Sequence, residues 1–108
     1  MTVSILGTEY EVITQTEEDN PKLLEANGLC EMYSKKIVLR DMKEEPDSFE
    51  NLDAYKRKVL RHEVIHAFFA ESGLRNNSDY AQCEELVDWI AIQFPKIARV
   101  FDELKISK

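Results

Sequence analysis

The sequence predicts an α+β domain in which a small antiparallel sheet with a short helix precedes a helical half. Three observations lead there. β-Branched and aromatic residues gather in short runs before residue 41. An acidic stretch carrying Pro46, residues 42–53, then interrupts the pattern. From Ala54 onward, apolar residues recur at helical spacing. With 108 residues there is material for one modest core, so a single domain 1–108 is expected: 1–41 mainly sheet, 42–53 linker, 54–108 helical.

Taken in order, Val3–Leu6 and Tyr10–Thr14 are short β-rich runs with Gly7 between them as the turn, which predicts a hairpin. "DNPKLLEANG" supplies Asn20 as N-cap, Pro21 in the first helical position and Gly28 as a stop, the pattern of a short helix. Leu29–Tyr33 and Ile37–Leu39 flank the polar Ser34, Lys35 and Lys36 and predict a second hairpin. Tyr55, Val59, Leu60, Val64, Ala67 and Phe68 line one long helix from Ala54 to Ser72, closed by Gly73 and Leu74. Ser78 or Asp79 caps the next helix, Tyr80–Phe94, and Pro95 kinks it or divides it from a last amphipathic helix, Lys96–Lys105. Trp89, Ile90, Phe94, Ile97, Phe101 and Leu104 follow helical spacing and are expected in the core.

Composition narrows the function classes. With 44% hydrophobic and 32% charged residues and only 3 Gly and 3 Pro, the chain is expected to fold rather than stay disordered. A formal net charge of -7 opposes a general attraction to phosphates, so no nucleic-acid partner is expected. The basic run "KRKVLR", 56–61, reads as a solvated helix face. No apolar run approaches the roughly 18 residues of a membrane span, and a soluble cytoplasmic protein is expected. Cys30 and Cys83 are then expected reduced and buried.

The chemistry concentrates in "RHEVIHAFFAES", 61–72, where His62, Glu63 and His66 form the pattern His-Glu-x-x-His. Side chains four apart stand one above the other on a helix, so two imidazoles can converge on one ion. Neutral imidazole is a preferred zinc ligand. Glu63 is one step round from His62, close to the ion yet turned from direct ligation, in position to take a proton from activated water. The chain has two histidines, and both lie in this motif. A catalytic zinc takes three protein ligands. "CEELVDWIA", 83–91, supplies Glu84 and Asp88 four apart on one helix face, with Glu85 adjacent. Cys83 beside Glu84 is a further possible ligand, one that would close the site and make the metal structural.

His62-Glu63-x-x-His66 followed by a Glu-x-x-x-Asp helix resembles the gluzincin branch of zinc metallopeptidases. The stretches "YSKKIVLRD", "YKRKVLRHEVIHAFFAESGL" and "EELVDWIAIQFPKI" are similar to short zincin-like proteins of phages and prophages, more distantly to the ImmA/IrrE type, over about Gly28 to Ile97. The resemblance implies one Zn²⁺ held by His62, His66 and Glu84, with Glu85 as the alternative third ligand. It further implies Glu63 as general base and Asp88 as acceptor of the outer N–H of His62. It implies a peptide or protein substrate lying along an edge strand, assigned to Lys36–Arg40. The larger gluzincins supply a Tyr or His to the oxyanion from a subdomain for which this chain has no room. Tyr80 is the choice for that role, with Tyr33 and Arg75 as the others. Two readings from other classes stand beside the peptidase: a zinc-stabilised regulatory or binding protein that cleaves nothing, and a metal-free protein docking an acidic partner through 56–61.

Overall fold

The structure, a computed structural model, describes residues 1–45 and 48–108; Pro46, assigned above to the linker, lies outside them. The α+β arrangement is as expected, with a four-stranded sheet first and helices after it. Strand β1 is Thr2–Ile5 and β2 is Thr8–Gln15. Leu6 and Gly7 both take positive φ, 49° and 87°, the two-residue turn whose twist matches a hairpin. β3 is Gly28–Glu31 and β4 is Lys36–Arg40. They form the second hairpin.

The sheet is mixed rather than antiparallel throughout, in the order β1-β2-β4-β3. β2 and β4 run parallel, with Val12 opposite Ile37. The cause is the segment between β2 and β3. It carries a 3₁₀ turn, Pro21–Leu24, capped by the Asn20 side chain, instead of a regular α-helix, and delivers the chain to the far edge. The hairpin then folds back, so the later strand of the pair inserts beside β2. Strand 36–40 is therefore interior, and the edge assigned to it belongs to 28–31.

Helix α1 spans Leu52–Glu71, with the Asn51 side chain accepting from Ala54 N at 3.1 Å. It lies on the sheet face formed by Ile5, Tyr10, Val12, Cys30 and Ile37, contributing Leu60, Val64 and Ala67. Tyr10 is fully buried, and its hydroxyl donates to Glu71 Oε2 at 2.7 Å, tying the first hairpin to the end of α1. Glu71 also takes the Lys35 ammonium at 2.9 Å. The short α2, Leu74–Asn77, and a 3₁₀ turn, Asp79–Gln82, lead into α3, Glu84–Glu103.

Helix α3 departs from expectation at both ends. It starts at Glu84 with Cys83 at the N-cap, so Ser78 precedes, and Asp79 opens, a 3₁₀ turn instead of the helix proper. Pro95 does not divide it. Proline at 95 cannot donate to the carbonyl of Ala91. Arg61 Nε of α1 donates to that carbonyl instead, at 2.6 Å, and the helix continues through. Residues expected in the core from its later turns stand in solvent: Trp89, Phe94, Phe101 and Leu104 are exposed. α1 and α3 run antiparallel, and α1 has ended where α3 goes on. Phe68 and Cys83 are exposed as well, while Cys30 is half-buried against the core; both thiols are free.

Candidate metal centre

The apolar period of α1 brings Val59, Glu63 and Ala67, each four residues from the next, onto its buried stripe. Glu63 thus occupies a core position with 7% of its surface exposed. His62 and His66 flank that stripe and point toward the first turn of α3. There His62 Nε2 lies 2.8 Å from Glu84 Oε2, His66 Nε2 lies 2.9 Å from Glu84 Oε1, and the two Nε2 atoms are 3.2 Å apart. Glu85 and Cys83 are not part of this group of potential ligands, and Glu84 is the carboxylate that faces the two imidazoles.

Asp88 receives the other side of His62, with Nδ1 3.1 Å from Oδ1. An ionised carboxylate only accepts, so Nδ1 carries the proton and Nε2 presents its lone pair to the cluster. The Lys58 ammonium donates to the same Oδ1 at 2.9 Å and, with the His62 bond, holds the Asp88 carboxyl below its ordinary range. Burial lowers the pKa of His66, favouring the neutral imidazole that ligates a metal. His62, His66 and Glu84 thus bring one potential ligand atom each to within 4.8 Å of one another, a group that could hold a metal ion. A tetrahedral ion about 2.0–2.1 Å from each donor would set donor atoms about 3.3 Å apart; the two nitrogens, at 3.2 Å, meet that spacing, and the nitrogen–carboxylate pairs, at 2.8 and 2.9 Å, lie closer.

Beside the cluster is a cavity of about 350 Å³. One wall is the edge strand and the residues around it, with Gly28, Leu29, Cys30 and Met32. The other carries Glu63, His66, Glu84 and Arg75. Burial pushes the Glu63 carboxyl up to about 7, with the neighbouring His62 opposing and Glu84 adding to the rise. Burial likewise pushes the Cys30 thiol up to about 12, so it stays protonated and is a poor ligand. A larger hollow of about 490 Å³, beside the C-terminal ends of β2 and β4, contains neither histidine nor cysteine, and its Arg40 pairs with Glu17.

Of the residues singled out from sequence, the fold brings together His62, Glu63, His66, Glu84 and Asp88. Tyr80 does not join them: it is exposed on the 3₁₀ turn and does not line the cavity. Tyr33 is exposed on the β3–β4 turn. Arg75 does line it, because Gly73, with a φ of 83°, ends α1 and turns α2 back across the mouth. Gly28 was read only as a helix stop; its place against Glu63 has no local sequence signal. No family model, no curated protein and no solved structure matches the chain.

Proposed function

We propose that the protein is a minimal zinc-dependent metallopeptidase, and the observation that carries the reading is the convergence of His62, His66 and Glu84 next to a buried Glu63. Zinc held by these three residues supplies Lewis acidity to a peptide carbonyl and acidifies water. The protein's own groups do the rest. Glu63, whose carboxyl titrates near neutrality in the metal-free chain, receives the proton of the attacking water and returns it to the leaving amine. Asp88 keeps the His62 lone pair turned to the metal, and Lys58 keeps Asp88 in place. Arg75, on the cavity wall, is the residue suited to hold the negatively charged oxygen of the tetrahedral state, in place of Tyr80. A peptide lies along β3, whose free edge borders the cavity. A cytoplasmic setting belongs to the same proposal, supported by two free thiols.

The test joins metal analysis to hydrolysis. Protein purified without a chelating tag is expected to carry one zinc per chain and to cleave members of an unbiased peptide mixture. Glu63→Gln is expected to keep the zinc and lose cleavage by about 10² or more. A chain that takes up no zinc defeats the proposal.

The 69% exposure of the Glu84 side chain favours one further reading, a zinc-stabilised binding protein that cleaves nothing, since an open ligand shields little chemistry from water. Stoichiometric zinc, a melting temperature that falls on chelation and no cleavage of any peptide would select it.

A further inference from the structure

The C-terminal half of α3 is built as a surface for which the monomer has no use. No described residue of the helix after Ala91 is buried. Lys58 meets Asp88 and Arg61 meets Ala91 across the antiparallel pair, and α1 begins at Leu52, so the last turns of α3 run past the start of α1. The molecule is correspondingly long, 43 × 33 × 28 Å with a radius of gyration of 14.9 Å, against about 13 Å for a compact chain of this size. The projecting helix does not fray. Ile106 N donates to Phe101 O at 2.9 Å and Lys105 N to Asp102 O at 3.1 Å, with Lys105 at a φ of 58°, a closed C-terminal cap.

What projects carries a heptad seam. Ile90, Phe94, Ile97, Phe101 and Leu104 are spaced four, three, four and three, the a and d positions of a coiled coil. The flanking positions that carry charges in most such pairs hold Gln93, Ala98 and Val100, and Ala91, the first of them, is buried against α1. Every charged residue between 90 and 104, namely Lys96, Arg99, Asp102 and Glu103, stands on the other side. In a chain of net charge -7, an uncharged stripe of this length is the one part of the helix that a second copy approaches without repulsion.

We propose that the chain forms an antiparallel homodimer through residues 90–104 of α3, the two seams packing about Ile97. Phe94 and Phe101 are 56% and 45% exposed and Leu104 is 64% exposed. With Val100 beside them and the partly exposed Ile90 and Ile97 between, they offer on the order of 500 Å² of apolar surface per copy. Two copies thus bury on the order of 1,000 Å², the size at which a specific interface begins. The antiparallel sense sets the two acidic bodies at opposite ends of the paired helices and aligns the helix dipoles favourably. A membrane is the less suitable partner: the polar side of the segment carries as many acidic as basic residues, and the whole chain is anionic.

Analytical ultracentrifugation of the full chain across micromolar concentrations tests this. Wild type is expected to sediment at twice 12.6 kDa, and Phe101→Glu at the monomer mass, with its helical circular dichroism and metal content unchanged. Leu104→Lys, in the exposed last turn, is expected to do the same and guards against a variant that fails to fold. A wild type that stays monomeric, whether or not it floats with phosphatidylcholine–phosphatidylglycerol vesicles, overturns the proposal. So does a dimer that both substitutions leave intact. Neither result bears on the metal centre, on which the dimer does not depend.

Discussion

Gly28 of the edge strand presses against Glu63 of α1. A Cβ added at Gly28 would stand 3.0 Å from Glu63 Cγ, 3.1 Å from its Oε2 and 2.8 Å from Val59 Cγ1. The absent side chain is what lets the glutamate lie flat between helix and strand and reach the cavity. Gly28→Ala is accordingly expected to displace Glu63 while leaving the ligands in place. Overpacking of this kind costs about 1–3 kcal/mol. Denaturant unfolding measures that loss, and cleavage is expected to fall about tenfold or more at unchanged zinc content.

The ligand set makes a graded series. His62→Ala, His66→Ala and Glu84→Ala each remove one of three proposed donors and are expected to abolish stoichiometric zinc. Asp88→Ala keeps all three ligands but loses the acceptor that orients His62 and anchors Lys58, and is expected to weaken zinc about 10–100-fold in competition with a chromophoric chelator. Glu85→Gln, outside the cluster, is expected to change nothing. A Glu85→Gln protein that loses its zinc would reverse the ligand assignment.

In the metal-free protein, Glu63 should be a burden whose weight depends on pH. Its carboxyl titrates near 7 when folded against an ordinary value of 4.5, so the native state favours the proton. The associated stability is therefore full below about pH 4.5 and declines as pH rises toward 7. Glu63→Gln removes this loss. Thermal melts in chelator are expected to show the variant more stable than wild type at pH 8, by an amount on the order of 2 kcal/mol, with the advantage vanishing at pH 4.5.

Glu71 carries the opposite sign. Hydrogen bonds from Lys35, then Thr8 and Tyr10, draw its carboxyl down to about 2. A depressed folded value contributes stability above the ordinary 4.5 and loses it as pH falls from there toward 2. Glu71→Gln is expected to flatten the acid limb of the stability profile in that window. An unaltered limb would mean that the Tyr10–Glu71–Lys35 group does not form.

Arg61 and Pro95 are expected to be coupled, since the arginine serves the Ala91 carbonyl that the proline leaves free. Arg61→Met should cost about 1–2 kcal/mol with Pro95 present and much less in a Pro95→Ala background, where an ordinary helical N–H is restored. A double-mutant cycle by denaturant unfolding reads the difference directly.

Much of the candidate centre was legible before any fold was known. His62, Glu63 and His66 lie within five residues of sequence, and helical periodicity alone sets their relative directions. Glu84 and Asp88 followed by the same rule on the second helix. The sequence favours Glu84 and leaves Glu85 as the alternative, because both stand in the first turn of α3 and the crossing of α3 over α1 decides which one faces the imidazoles. That Arg75 and not Tyr80 borders the cavity was hidden for a like reason: it depends on where the turn at Gly73 carries α2 and on Tyr80 standing on the exposed side of the 3₁₀ turn.

By itself, then, the sequence determined what local rules govern. These are the first hairpin with Gly7 in its turn, the long helix bearing the motif, and the spacing of His62 and His66 on one helix and of Glu84 and Asp88 on the next. Tertiary structure decided what depends on partners distant in the chain. It put β4 inside the sheet and β3 at its edge, because strand order is a matter of which hydrogen-bonding edges meet. It carried α3 through Pro95 with Arg61 of α1, thirty residues before Ala91, donating to the carbonyl the proline leaves free. It left Trp89, Phe94 and Phe101 in solvent, because periodicity marks a residue as able to be buried but only a neighbouring surface can bury it.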